Sequence, residues 1–392
     1  MGDHSQLDTF EKIAIISAVP ETIVAFMSSH INALRNVYLV SAICGGASRI
    51  PHEKIIQNVT YIDISIERKI SPLKDIFSLY KLIKLFREHQ FTLVQSITPK
   101  AGLLTMLAAW ICQVPIRVHV FTGQVWVTRS GFSRWYLKSF DRLIAMLATS
   151  LLTDSPSQKK FLVDEGIASV MNIQVLADGS ICGVDTFRFK PNAEVKKNIR
   201  TQLGIPEEAT VALFMGRLKR DKGVLDLASV FGGLDSSFNS LYLVFVGQDE
   251  DGLGERILDL VALGRNQVRF VGHVNNPEDF IAAADFLCLP SYREGFGLVT
   301  IEAAAAGIPT LASRIYGITD AIIDGVTGIL HEPGDLVGIA EGLRTMATIP
   351  ETRISMGDAA QKRALELFST SRIVNAQLSY YKSLIQKYRS HA

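Results

Sequence analysis

The chain has 392 residues, 48% hydrophobic and 20% charged, with a formal net charge of +1. This balance fits a folded globular protein with room for two domains, and it excludes a disordered chain, a collagen-like chain and a strongly basic nucleic-acid binder. Cys44, Cys112, Cys182 and Cys288 lie far apart with no C-x-x-C spacing, so reduced thiols are expected, with no zinc site and no disulfide framework.

The first residues, MGDHSQLDTFE, are polar and acidic, unlike a signal peptide, and Gln6 stands where a myristoylation signal wants Ser or Thr. Apolar runs at 13–17, 37–41, 59–63, 93–97, 118–121 and 151–154 predict strands. Helical periods separate them. One lies near 21–34, and an amphipathic one spans 75–88 with Ile76, Leu79, Ile83 and Phe86 on one face. The most apolar stretch, 101–116, contains Gln113 and Pro115 between Lys100 and Arg117, so it reads as a buried helix followed by a strand, not a membrane span. Residues 134–149, RWYLKSFDRLIAMLAT, mix aromatics, cations and apolar residues. They read either as an interfacial membrane helix or as a helix with its apolar face in the core. In the first case, charge reversal at Arg134, Lys138 and Arg142 weakens liposome binding. A linker is expected near 185–192. A second strand series follows at 210–214, 241–246, 268–271, 286–290 and 309–312. Two alternating βα series predict an α/β protein: two Rossmann-like, doubly wound parallel sheets facing across a cleft, with ligands at the strand C-termini.

Charge is uneven. Residues 1–190 carry 20 Lys+Arg against 15 Asp+Glu, and residues 191–392 carry 20 against 24. A basic first half suits an anionic membrane or a diphosphate-bearing acceptor, and equally an ordinary solvated surface.

Residues 291–302, SYREGFGLVTIE, read as a glycine loop between a strand and a small-residue helix. A helix N-terminus beside glycines cradles phosphate. The carboxylates Glu294 and Glu302 would repel phosphate but accept hydrogen bonds from sugar hydroxyls. Phosphate plus polyol points to a sugar nucleotide. Residues 214–223, FMGRLKRDKG, form a second strand-to-helix loop about eighty residues earlier. Together the two motifs resemble the retaining family-4 glycosyltransferases of GT-B fold.

The resemblance implies that Arg217 and Lys222, with Gly216 beside them, grip the donor diphosphate, as an Arg fork and a Lys point charge suit a pyrophosphate. Lys222, Arg217 and the N–H groups near Gly297 and Leu298 then stabilise the leaving group. Glu294 and the N–H groups of Gly295 and Phe296 hold donor-sugar hydroxyls, Glu302 holds the ribose, and the nucleobase lies near His273 and Val274. No metal or other cofactor is expected, the UDP-sugar being a substrate. His119 matches a position that faces the reacting sugar in relatives; its other reading is a core histidine. Family architecture implies that residues 1–190 plus 371–392 form an acceptor-binding domain, and 191–370 a donor-binding domain.

On the acceptor side, Thr98 and Lys100 follow one strand and Gly123 and Gln124 another, so all four are cleft candidates. Lys100 either neutralises an acceptor phosphate or ends a helix turn. The segments TPKAG, HVFTGQVW, RWYLKSFDR and GSICGVDTFR look like bacterial enzymes that build O-antigen, capsule or N-glycan precursors. Such enzymes move a sugar, often an N-acetylhexosamine, from UDP to a polyprenyl-diphosphate-linked acceptor. They work in the cytoplasm, at the inner face of the membrane. Two departures stand out: Cys182 replaces a usual Asn, and 17–24, SAVPETIV, lacks the glycine-rich loop many relatives carry. The alternative is a UDP-N-acetylhexosamine 2-epimerase of GT-B fold. A nicotinamide oxidoreductase lacks its G-x-G-x-x-G, and a non-catalytic sugar-nucleotide binder would leave the four charged residues unexplained.

Overall fold

A computed structural model describes residues 10–67 and 71–390. The N-terminal targeting readings lie outside these residues. Strands β1 (Lys12–Ile16), β2 (Leu39–Cys44), β3 (Val59–Asp63), β4 (Leu93–Ile97), β5 (Ile116–Phe121), β6 (Ser150–Thr153) and β7 (Ile173–Val175) form a sheet in the order β3-β2-β1-β4-β5-β6-β7. Strands β8 (Thr210–Met215), β9 (Leu241–Val246), β10 (Val268–Gly272), β11 (Phe286–Leu289), β12 (Thr310–Ser313) and β13 (Gly328–His331) form a second, ordered β10-β9-β8-β11-β12-β13. Every pairing within both sheets is parallel.

The inner strands are near-continuous apolar runs because helices cover both faces. β8 (TVALFM) and β9 (LYLVFV) are buried over almost their whole length. Chain order reverses between β1 and β4 in one sheet and between β8 and β11 in the other. At such switch points the loops leaving adjacent strands diverge and open a crevice.

The helix Pro72–His89 departs from its expected orientation. Its inward stripe is Ser78, Leu82 and Phe86, while Ile76 is 65% exposed. Leu79 and Ile83 pack at the margin of the core. Leu73, Ile76, Phe77 and Tyr80 face outward. Of the four residues expected on the inward face, Phe86 is buried, Leu79 and Ile83 pack at the edge of the core, and Ile76 alone turns outward, beside Leu73, Phe77 and Tyr80. The 101–116 stretch forms the helix Pro99–Ile111 and then β5. Among the described residues, no helix is long and apolar enough to cross a membrane.

The chain passes between the two sheets' domains twice, and the two crossings touch. Val184 N–H donates to the Phe368 carbonyl at 2.8 Å, and Thr370 N–H to the Val184 carbonyl at 3.0 Å. The last helix, Thr370–Arg389, returns to the first sheet and buries Ile373, Gln377, Tyr381 and Ile385 there.

Candidate active site

Because β8 and β11 are neighbours, the loops that leave them interlock. Gly223 has φ +69°, and a Cβ there would stand 1.9 Å from the Pro290 carbonyl oxygen, so only glycine permits this approach. Tyr292 N–H donates to the Asp221 carbonyl at 2.9 Å, and Arg293 Nη2 to Asp221 Oδ2 at 3.0 Å. The loops thereby bring Lys222 and Glu294 together. Lys222 Nζ donates to Glu294 Oε1 at 2.6 Å, and Ser291 Oγ donates to the same oxygen at 2.9 Å. Both side chains of the pair are only 14% exposed.

Arg217 lies at the rim. Its Nη1 contacts both Glu250 oxygens at 3.2 and 3.3 Å, and Lys219 shares that carboxylate at 3.3 Å. The Arg217 side chain is 49% exposed, with Glu250 as its partner. Gly216 begins this loop with φ +153°.

Gly297, with φ +74°, turns the second loop into the helix Leu298–Ala305. The N–H groups of its first turn have no carbonyl of their own helix to bond. The Phe296 ring is buried and packs edge-on against Phe368 at 5.4 Å. The side chain anchors the loop, and only its backbone is left to meet a ligand.

Glu302 lies one turn inside that helix. Burial pushes its pKa up to about 7, with Arg188 acting against the rise and Glu278 adding to it. Arg188 and Glu278 pair with each other at 2.6 Å, and among the described residues no side chain hydrogen-bonds Glu302. Between about 4.5 and 7 the folded protein therefore holds a proton that the unfolded chain releases, so stability falls as pH rises through that window. Glu302→Gln is expected to raise Tm above wild type at pH 8 and to leave it unchanged at pH 4, which thermal melts at the two values check.

His273 and Val274 follow β10, two strand spacings, about 10 Å, from β8. His273 is exposed and Val274 half-buried. Nearby, Phe270 stacks on Phe245 at 5.2 Å and keeps 41% exposure.

Across the cleft, Thr98, His119, Gly123 and Gln124 line one small cavity of about 10 Å³ with Asp141. Thr98 has φ +76° and a buried hydroxyl without a protein partner. His119 is a core residue, with Nδ1 2.8 Å from Ser96 Oγ, and it also lines the cavity. Burial lowers its pKa to about 3, so the imidazole is neutral. The Gln124 side chain is occupied internally, donating to the Thr122 carbonyl at 2.7 Å and accepting from Gln158 at 3.3 Å. Lys100 turns to the neighbouring helix and pairs with Asp75 at 2.7 Å.

The two halves meet directly at this point. A Cβ on Gly123 would lie 2.9 Å from Gly295 N, and Arg293 Nη1 reaches the Gly123 carbonyl at 3.5 Å. Beside them, Ser157 N–H donates to Asp320 at 3.0 Å, Gly317 N–H to Ser157 Oγ at 2.7 Å, and Phe161 stacks on Tyr316 at 4.7 Å. Asp154, Arg293, Tyr316 and Asp320 were not singled out from sequence. Arg293 lies within the second glycine motif, whereas Asp154, Tyr316 and Asp320 stand outside both motifs, and the folded arrangement brings the four together.

The cations of the helix 131–147 have partners within the domain. Arg134 and Lys138 pair with Glu165 at 2.8 and 2.5 Å and lie over the Trp126 ring, and Arg142 reaches the Gly166 carbonyl. These cations brace the domain, so reversing them would disturb packing before it tested a membrane contact.

A family model described as "Glycosyl transferases group 1" matches residues 195–363, which contain Arg217, Lys222, Glu294 and Glu302. The chain is 30% identical over 328 residues to the capsular polysaccharide biosynthesis glycosyltransferase CapM of Staphylococcus aureus, covering 83% of this chain and 85% of that protein. Sucrose-phosphate synthase from Thermosynechococcus elongatus superposes with a TM-score of 0.80 at 20% identity, over 96% of this chain and all of that one. Anabaena Alr3699/HepE, solved in complex with UDP-glucose, gives 0.78 at 19% identity, over 95% and 99%. The family match and the capsular relative favour transfer over the epimerase alternative. With two parallel-sheet domains in the GT-B arrangement of these neighbours, the chain belongs to the group 1 glycosyl transferases.

Proposed function

We propose that the protein moves a sugar, expected to be an N-acetylhexosamine, from UDP to a polyprenyl-diphosphate-linked saccharide during cell-surface polysaccharide synthesis, with retention at the anomeric carbon. The Lys222–Glu294 pair carries this reading. One loop supplies a cation for a leaving diphosphate and its neighbour supplies a carboxylate for sugar hydroxyls, held 2.6 Å apart at the switch point. As the glycosidic C–O bond breaks, negative charge grows on the β-phosphate. Lys222, Arg217 and the first-turn N–H groups after Gly297 stabilise it, and fixed donors of this kind are the largest single source of rate enhancement in many enzymes. These groups can supply the positive charge without a metal ion. Glu302, in its carboxylate form, accepts from the ribose hydroxyls, and the His273–Val274 turn receives the base. The bound UDP-glucose of Alr3699/HepE and the capsular role named for CapM support the donor and pathway.

The acceptor side supports a lipid carrier. The Pro99 helix, whose start lines the small cavity, has the Pro72 and Gly131 helices as its neighbours. The first presents Leu73, Ile76, Phe77 and Tyr80 outward, and the second presents Phe132 (75% exposed), Trp135 and Tyr136. Aromatic side chains in that setting suit the headgroup level of a bilayer, where a polyprenyl carrier would place the acceptor sugar. The protein thus works as a peripheral enzyme at the inner face of the cytoplasmic membrane. Trp135→Ser with Phe132→Ser is expected to weaken binding to anionic liposomes severalfold in a sedimentation assay and leave transfer to a water-soluble acceptor unchanged.

The deciding experiment incubates purified protein with a panel of UDP- and GDP-sugars, with and without a polyprenyl-diphosphate saccharide, in EDTA. Acceptor-dependent release of UDP from one donor is the expected result, and NMR of the product reads the retained configuration. Interconversion of a UDP-sugar without acceptor would instead make the protein an epimerase.

A further inference from the structure

Beneath the site, between the first sheet and the last helix, lies an internal cavity of about 20 Å³ that no donor or acceptor contact uses. Gln95 of β4, Thr153 and Asp154 at the end of β6, Ser180, Met27 and Gln377 of the last helix line it. Three of these side chains are buried and each leaves one polar atom without a protein partner: Gln95 Nε2, Gln377 Oε1 and Asp154 Oδ1. The two glutamines are held firmly. Gln377 Nε2 donates to Gln95 Oε1 at 2.9 Å and reaches the Tyr381 hydroxyl at 3.0 Å, and that hydroxyl also donates to Gln95 Oε1. The residues that carry this free donor, free acceptor and carboxyl oxygen line a single small space. Buried polar atoms in native proteins nearly always find a partner. The space exceeds the roughly 10–15 Å³ that one water needs.

The same carboxyl also lies close to the loop that carries Glu294: a Cβ built on Gly295 would stand 2.8 Å from Asp154 Oδ2, so Asp154 both lines the cavity and approaches that loop. We propose that the cavity holds one ordered water bound by Gln95 Nε2, Gln377 Oε1 and Asp154 Oδ1, and that Asp154, fixed by it as a neutral carboxyl, is a positioning residue for the Glu294–Gly295 loop.

The surroundings suit a neutral acid. The titratable groups facing it are Cys182, whose thiol burial holds well above its ordinary range, and Tyr316, pushed up to about 12 by burial. His30, bonded to the Ile181 carbonyl beside the cavity, is pushed down to about 4 by burial. All three are uncharged at neutral pH. The nearby ions are already paired, Lys222 with Glu294 and Arg293 with Asp221. Among the described residues no unpaired cation faces Asp154 to hold it as a carboxylate, and burial raises it to about 8.

The kinetic consequence rests on reading Glu294 as a donor-sugar ligand, whereas the water does not. High-resolution diffraction from wild type and Gln377→Leu tests the water. Density within hydrogen-bonding reach of the three atoms in wild type, and none in the variant, is expected; an empty wild-type cavity overturns the site. Kinetics test the positioning. Asp154→Asn mimics the neutral acid and is expected to keep kcat within about threefold at pH 7 without the wild-type decline above pH 8, whereas Asp154→Leu loses at least about tenfold in kcat. A leucine variant as active as wild type, or an asparagine variant as impaired as leucine, overturns the role. Should Asp154→Leu fail to fold, Gln377→Leu carries the same comparison from the far wall, and an unchanged kcat there overturns it. Absence of any transfer by wild type would sink the donor reading alone, and diffraction would still decide on the water.

Discussion

Lys222→Ala is expected to lower kcat by about 10²–10³-fold, the range found when one preorganised donor to a developing charge is removed. The ammonium is well placed for that task. It is only 14% exposed, on a loop fastened to its neighbour by the Tyr292–Asp221 and Arg293–Asp221 contacts, so it needs little rearrangement as charge develops. Its partner here is Glu294, and the proposed role sets it between that carboxylate and the departing phosphate. The alanine variant also strands Glu294 with Ser291 as its remaining hydrogen-bond donor, so a small fall in Tm accompanies the loss. Lys222→Arg keeps the charge, but a guanidinium fork cannot occupy the compact space of a 2.6 Å ammonium contact, and a partial loss is expected. Steady-state kinetics at saturating donor and acceptor decide the matter. A wild-type kcat in Lys222→Ala means that the diphosphate is stabilised elsewhere.

Gly123→Ala is the second large effect, and it works through space alone. Gly123 does not adopt a positive φ, so alanine fits its backbone. The added methyl, however, would meet Glu294 C and Gly295 N at 2.9 Å and Glu294 O at 3.0 Å. All three are main-chain atoms that cannot rotate away as a side-chain tip would. The two halves must part by several tenths of an ångström at the seam where the proposed donor and acceptor sides meet. Misplacement by about 1 Å can cost about 10²-fold in rate, so kcat/KM is expected to fall by tens to a hundredfold. UDP affinity and Tm stay close to wild type, because neither half is altered within itself. A variant with normal kcat/KM would show that the catalytic state is wider than the one described.

Much of this arrangement was readable from residue types. The inner strands stood out as apolar runs because both faces are covered, and the two glycine loops stood out because each ends such a run. The edge strands β7, Ile-Gln-Val, and β13, Gly-Ile-Leu-His, are too short to carry a periodicity and were not read. The glycine motifs named Lys222 and Glu294 but not their contact, which depends on β8 and β11 becoming neighbours across 72 residues of sequence. Lys100 carried the right charge at a strand end, yet Asp75 on the adjacent helix claims it, and only packing reveals such competition. Asp154 had no signal at all. One aspartate after an apolar run is ordinary, and its interest comes from the glutamines and the glycine that fold around it.

The paired crossings at Val184 and Phe368–Thr370 carry a consequence for how the molecule is put together. Because both connections run side by side, the half bearing Lys222 and Glu294 is topologically a cassette set into its host at one doorway, with its entry and exit hydrogen-bonded to each other. Such a cassette can be exchanged between relatives by two nearby splices without stretching the host, whose last helix already closes over its own sheet. With the proposed division of roles, donor preference and acceptor preference can then change separately, the seam around Gly123 and Gly295 being the surface both halves must keep in common.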